Sequence, residues 1–171
     1  VDTCIQKGLD AVQPGVVADP PCGAALLWAG FLTTQQILPL SLKEKLGYVY
    51  KIREFFERAV QADPQLHMAH HALGEWGWLA ANLSWVEKKA VTAFFGSVPT
   101  VTIEECEAHF RRSAELDPSF APNCLRLGQC YLALKQPDKA KEWLQRAVDC
   151  RVVFPKEKKA REQAQAAMKK L

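Results

Sequence analysis

The sequence predicts an all-α fold: a helical-repeat solenoid of about three helix pairs, with one inserted helix and a C-terminal capping helix. Three observations predict it. The segment Phe56-Glu57-Arg58-Ala59-Val60-Gln61-Ala62-Asp63-Pro64 recurs, in altered form, as Phe110-Arg111-Arg112-Ser113-Ala114-Glu115-Leu116-Asp117-Pro118, and Leu73-Gly74 recurs as Leu127-Gly128, all at a constant offset of 54 residues. A shorter echo sets Phe110-Arg111-Arg112-Ser113 against Leu144-Gln145-Arg146-Ala147 at 34 residues, the period of tetratricopeptide helix pairs. Proline-bearing breaks fall where helices of such units must stop, at Asp63-Pro64, Asp117-Pro118 and Gln136-Pro137-Asp138, because proline lacks the amide proton that a helix interior needs.

The elements follow in order. Residues 1–21 are weakly patterned and punctuated by Pro14-Gly15 and Pro20-Pro21, which predicts a partial helix and then a loop. The domain proper spans 22–171. Its first unit, 22–66, is degenerate: Ala24 to Gln36 reads as one helix and Leu42 to Ala62 as a longer second one, parted by Pro39. The second unit, 67–120, starts near His67, carries Leu73-Gly74, and resumes at Cys106, Phe110 and Ser113. Thr102-Ile103-Glu104-Glu105 has the pattern of a capping box, in which the Thr hydroxyl and the Glu carboxylate each satisfy a free backbone donor. An insertion therefore occupies 82–101, the excess of the longer offset over the shorter. Its Trp85 to Phe95 stretch, with apolar residues at Trp85, Ala90, Ala93 and Phe94, is expected to hold a short helix of its own.

The third unit, 121–154, is the best preserved. Gly128, Ala140 and Ala147 are small, so two helices can approach, and Tyr131 and Leu144 fill the space between them. Residues 156–171, rich in Ala, Lys and Gln, suit the polar outer face that a terminal cap requires.

Composition narrows the function classes. With 49% hydrophobic and 24% charged residues the chain is that of a globular protein, and a net charge of +3 is a poor footprint for nucleic acid, so none is expected as a partner. The longest apolar run, Ala24 to Leu32, is about half the ~20 residues a spanning helix needs, which predicts no transmembrane segment in this chain. The six cysteines form no Cys-x-x-Cys pair and no zinc-finger spacing, so they read as reduced, mostly buried thiols in a cytoplasmic setting.

Catalytic patterns are absent: no Gly-x-Ser-x-Gly elbow, no Walker loop, no dinucleotide turn. No enzymatic activity and no cofactor are expected. His67 and His70 share a helix face and could begin a metal site, but only the distant His109 could join them, so the expectation is surface or core histidines and no metal.

At the insertion the sequence resembles the regulator of microtubule dynamics family. The resemblance lies in Leu73-Gly74-Glu75-Trp76, Leu83-Ser84-Trp85-Val86-Glu87-Lys88-Lys89, Ala93-Phe94-Phe95-Gly96 with Pro99, then Thr102, Glu105, Phe110, Ala114-Glu115-Leu116, Pro118 and Leu127-Gly128-Gln129-Cys130-Tyr131. It covers roughly Cys22 to the C-terminus. It implies a non-enzymatic tetratricopeptide-like domain associated with microtubules and the spindle. One branch tethers endoplasmic reticulum to mitochondria, and its repeat domain is implicated in phospholipid binding and transfer. The chain departs from the family at Glu75, where Leu-Gly-Arg-Trp is usual, so a phosphate-binding role carried by that Arg does not transfer.

In tetratricopeptide units the first helix of each pair lines a concave face. Helical spacing from Gly74 and Gly128 puts Met68, His71, Glu75 and Trp78, and Pro122, Leu125, Gln129 and Leu132, on that face. The set is largely apolar and predicts an apolar helix, hydrophobic peptide or acyl chain as ligand, although the same spacing also suits residues that pack on a neighbouring helix. Lys88 and Lys89 beside Trp85, and Lys156, Lys158, Lys159 and Arg161 in the tail, are candidate basic contacts for acidic tubulin or lipid headgroups, or else solvated edges. The leading expectation is a binding module on microtubules or the spindle, with tubulin as partner. The alternative is a phospholipid-binding or lipid-transfer module at a membrane contact, at the mitochondrial or endoplasmic-reticulum surface.

Overall fold

The computed structural model describes residues 3–98 and 100–171; Val1, Asp2 and Pro99, the last among the residues that carry the resemblance, lie outside them. Among the described residues the regular structure is entirely helical: α1 (Thr3–Val17), α2 (Gly23–Gln36), α3 (Leu42–Ala62), α4 (His67–Ala81), α5 (Trp85–Phe95), α6 (Ile103–Leu116), α7 (Ala121–Ala133), α8 (Pro137–Asp149) and α9 (Pro155–Met168).

Several boundaries follow from local chemistry. Ser41, Ser84 and Thr102 are extended residues whose hydroxyls accept from the amides of Glu44, Glu87 and Glu105, while those carboxylates accept in return from the cap amides. Three helices thus start on reciprocal capping boxes, and at Glu44 and Glu87 the hydrogen bonds from the capping serines hold the carboxyls below their usual range. α3 and α6 stop alike. Asp63 and Asp117 are extended, and their carboxylates accept from the amides of Gln65 at 3.0 Å and Ser119 at 2.9 Å. Gly96, at φ 80°, takes the left-handed conformation that ends α5.

The helices pair as α2 with α3, α4 with α6, and α7 with α8, and each pair stacks on the next; α9 closes the stack on α7 and α8. The same contact holds each pair together. Gly30, Gly74 and Gly128 let the opposing Phe56, Phe110 and Leu144 lie against the backbone, and a Cβ at these glycines would stand 2.3, 2.7 and 2.6 Å from those side chains. One turn on, Ala59, Ser113 and Ala147 are each fully buried.

Two elements go beyond the sequence expectations, α1 in its length and α5 in its path. The N-terminal segment forms a longer helix, α1, which continues through Pro14 and packs on α2 through Val12 and Val16. Proline is tolerated there because the helix ends a turn later and the carbonyl it frees, on the exposed Asp10, stays hydrated. The inserted helix α5 does not extend the stack: it folds back on α3 of the first pair and becomes the side wall of the concave face. No helix among the described residues is long and apolar enough to cross a membrane.

Candidate functional site: the concave groove

The concave side holds an open groove of about 560 Å³. α4 forms its floor with Met68, His71, Ala72, Glu75, Trp76 and Leu79. One side is built by Phe31 and Ile37 at the end of α2 and by Leu42, Leu46, Val49, Tyr50 and Ile52 of α3. Val91 and Phe95 of α5, with Leu83 before it, close the same end. The opposite side comes from Pro122, Leu125 and Arg126 of α7 and from Lys156, Lys159 and Gln163 of α9. The α2–α5 side is therefore mostly apolar, with Thr34, Gln35, Lys45 and Glu87 as its polar members, and the α7–α9 side is cationic.

The polar groups are organised by Arg126 and His71. Arg126 grips Glu75 with both a short Nε contact and an Nη2 bond of 2.9 Å, donates from Nη1 to Gln129 at 2.7 Å, and lies 5.7 Å from the Trp78 ring centre. The Glu75 charge is thereby compensated. His71 is buried, with Nδ1 3.0 Å from Asn123 Oδ1. The Asn123 amide nitrogen is committed to the Phe110 carbonyl at 2.7 Å, so its oxygen faces His71 and the imidazole proton sits on Nδ1. Burial pushes the His71 pKa down to about 4; Lys156 and Arg126 push the same way, and Glu75 opposes them. The ring is neutral at physiological pH and presents a bare Nε2 3.8 Å from Glu75. Lys45, Lys156 and Lys159, by contrast, take part in no ion pair among the described residues.

The sequence-predicted positions divide. Met68, His71, Glu75, Pro122 and Leu125 line the groove. Trp78, Gln129 and Leu132 do not: Trp78 and Leu132 pack on the core of Cys106, Phe110, Leu127 and Ala140, and Gln129 is held by Arg126. On α4 the groove face continues at Leu79, four residues after Glu75, because a step of four stays nearer one face than a step of three once the stripe has begun to drift. Of the basic residues, Lys156 and Lys159 line the groove, Lys158 is exposed outside it, and Arg161 donates to the Cys150 carbonyl at 2.5 Å and ties α9 to the end of α8. Lys88 and Lys89 stand exposed on α5, with Lys89 Nζ 3.8 Å from the Trp85 ring centre.

Sequence reasoning missed the walls given by α3 and α5. Their signal was present as Leu42, Leu46 and Val49 on α3 and as Val91 and Phe95 on α5, apolar at steps of three and four. It could not be assigned to a groove without knowing that α5 turns back.

His67 and His70 make structural contacts, and three of the six cysteines, Cys106, Cys124 and Cys130, are buried, while Cys4 and Cys22 are exposed. His70 Nε2 lies 3.1 Å from the Pro64 carbonyl, and His67 faces Asp117 at 3.7 Å. Burial pushes the thiols of Cys106, Cys124 and Cys130 up to about 11, 12 and 12, the reverse of what a thiolate nucleophile requires.

Known proteins place this geometry. Among solved structures, a thermophilic TPR protein of Thermus thermophilus matches with a TM-score of 0.61 at 18% identity, over 96% of this chain and 74% of that one. MamA matches at 0.58 and 17%, over 97% and 85%. These likenesses show the fold, a tetratricopeptide solenoid. Among curated proteins, Regulator of microtubule dynamics protein 1 of Bos taurus is 33% identical over 63% of this chain and 34% of its own length. Its Caenorhabditis elegans counterpart is 28% identical over 82% and 61%. The chain thus spans about a third of the bovine relative and under two thirds of the nematode one. The family described as Regulator of microtubule dynamics protein 1-3 matches residues 2–171, and with that match spanning nearly every residue, the chain belongs to the regulator of microtubule dynamics family.

Proposed function

We propose that this chain is a non-enzymatic binding module of a microtubule-dynamics regulator, and that its groove takes an elongated apolar ligand, with phospholipid acyl chains the occupant its chemistry suits best. The observation that supports this is the groove's division into two ends. Its volume of about 560 Å³ falls within the roughly 300–1,000 Å³ of small-molecule sites. Acyl chains against Leu46, Val49, Val91 and Phe95 leave no polar group unpaired, whereas a peptide backbone laid on these four side chains would bring amides that they cannot satisfy. At the other end Lys156 and Lys159 stand one turn apart on α9 and suit an anionic headgroup.

Native mass spectrometry of the delipidated protein with phosphatidic acid tests this. The expected result is a one-to-one adduct that is lost in Leu79→Asp, an exposed groove position, and weakened about tenfold when Lys156 and Lys159 are both changed to Glu. No adduct, or an adduct indifferent to Leu79→Asp, contradicts the reading. Glu75→Gln frees the Arg126 charge and is expected to tighten binding of the same lipid several-fold.

The relatives' names support a second activity, association with microtubules. Lys158, in the tail, is exposed, takes part in no ion pair among the described residues, and suits an acidic protein surface. Co-sedimentation with polymerised tubulin that fades as salt rises is the expected result. Tubulin pelleting without the protein at low salt rejects it. The two activities together would place the module where microtubules meet a mitochondrial or endoplasmic-reticulum surface.

A further inference from the structure

α5 carries two apolar faces on eleven residues. The inner one, Val91 and Phe95, faces the groove. The outer one is the arc opposite Val91, a strip that carries Trp85, Val86, Lys89 and Ala93 with Phe94 at one edge: Trp85 is 69%, Val86 64% and Phe94 47% exposed. A helix with one groove to line needs only one such face.

We propose that this outer face docks on the surface of an anionic lipid bilayer. Three features select that occupant. The charges of the outer arc are Lys89 within it and Lys88 at the edge opposite Phe94, while Glu87, the one acid of α5, lies on the groove side, where its carboxylate accepts from the Ser84 amide at 2.8 Å. The strip thus combines apolar side chains with cations alone, the composition that holds a helix at a negatively charged membrane interface. Trp85 lies at the edge of the strip with the Lys89 ammonium 3.8 Å from its ring centre. That places an amphipathic aromatic and a cation at one level, as at the boundary between acyl chains and headgroups. The strip is also continuous with the groove rim: the Phe94 ring stands 4.8 Å from Phe95, and Phe95 4.7 Å from Tyr50, which lines the groove and is itself exposed.

A second copy of this chain suits the strip poorly, because a two-fold contact would bring the lysine pairs together. An acidic peptide tail would answer the lysines and leave Val86 and Phe94 wet. The inference extends the acyl-chain reading of the groove: α5 holds the apolar rim against the bilayer from which the chains are taken. It rests on that reading for its purpose and on the exposed strip for its evidence.

The test is flotation with vesicles of phosphatidylcholine alone and of phosphatidylcholine mixed with phosphatidylserine. The expected result is binding to the mixed vesicles only. It is reduced about tenfold or more when Lys88 and Lys89 are both changed to Glu, and likewise in Val86→Asp and in Phe94→Ser, all with unchanged helical circular dichroism. Leu79→Asp, which spoils the groove, leaves flotation intact. Flotation that ignores all three α5 variants overturns the inference, and so does binding of these residues to polymerised tubulin without any flotation. The groove reading is judged separately by the phosphatidic acid adduct. An adduct without α5-dependent flotation sinks only the docking face; flotation without an adduct sinks only the groove ligand.

Discussion

His71 shows how much of this molecule turns on single side chains. The folded imidazole accepts its second proton only near pH 4, whereas an unperturbed histidine does so near 6.5. Between those values the unfolded chain binds more protons than the folded one, so the fold loses stability as pH falls through that window and has its full value above it. The expected loss is on the order of 3 kcal/mol, with His109, also lowered by burial, adding in the same direction. Urea unfolding of the wild type and His71→Gln between pH 4 and 7 checks this: the midpoint of the wild type should fall with acid more steeply than that of the variant. Parallel slopes would refute it. Phe110 gives a simpler prediction. It is fully buried against Gly74, so Phe110→Ala should cost about 3–5 kcal/mol. Phe154, 64% exposed, should lose less than about 0.5 kcal/mol on the same change.

At the scale of elements, legibility followed repetition. α4, α6, α7 and α8 could be read because Leu73-Gly74 and Leu127-Gly128 repeat, and because Asp63-Pro64 and Asp117-Pro118 stop their helices alike. Gly30 makes the same contact with Phe56 that Gly74 makes with Phe110, yet it lies in Ala29-Gly30-Phe31 without the flanking leucine, so pattern alone did not reveal it. The Trp85–Phe95 helix was legible from its spacing; its path was not, since the return to α3 is decided by tertiary packing between Phe95 and Tyr50. α5 also packs on little else, which makes it the weakest of the central helices. In hydrogen exchange its amides should exchange ahead of those of α4 and α6. Ser84→Ala, which removes the capping box, should speed them further by roughly five- to tenfold, in line with about 1 kcal/mol for a lost cap. Protection of α5 equal to that of α6 would show it to be an integral part of the stack.

For the whole molecule, the sequence led to the stacked pairs and to half of the groove. Counting turns from a glycine finds the α4 and α7 faces only in part: Met68, His71, Glu75, Pro122 and Leu125 line the groove, and Trp78, Gln129 and Leu132 do not. The groove's other half depends on α3 lying beside α4, α5 turning back and α9 closing over α7, relations of long range that no local spacing encodes. Lys156 and Lys159 were legible as cations but not as groove residues, because only the packing of α9 on α7 brings them to it.

If the groove works as proposed, a ligand lies in it with its apolar end toward α3 and α5. Methyl NMR with a phospholipid carrying a nitroxide on its acyl chain measures that directly. Selective broadening of Leu42, Leu46, Val49 and Val91, with Leu127 and Leu144 in the α7–α8 core unaffected, is the predicted result. Broadening that spares the groove methyls, or that reaches all methyls alike, would contradict it.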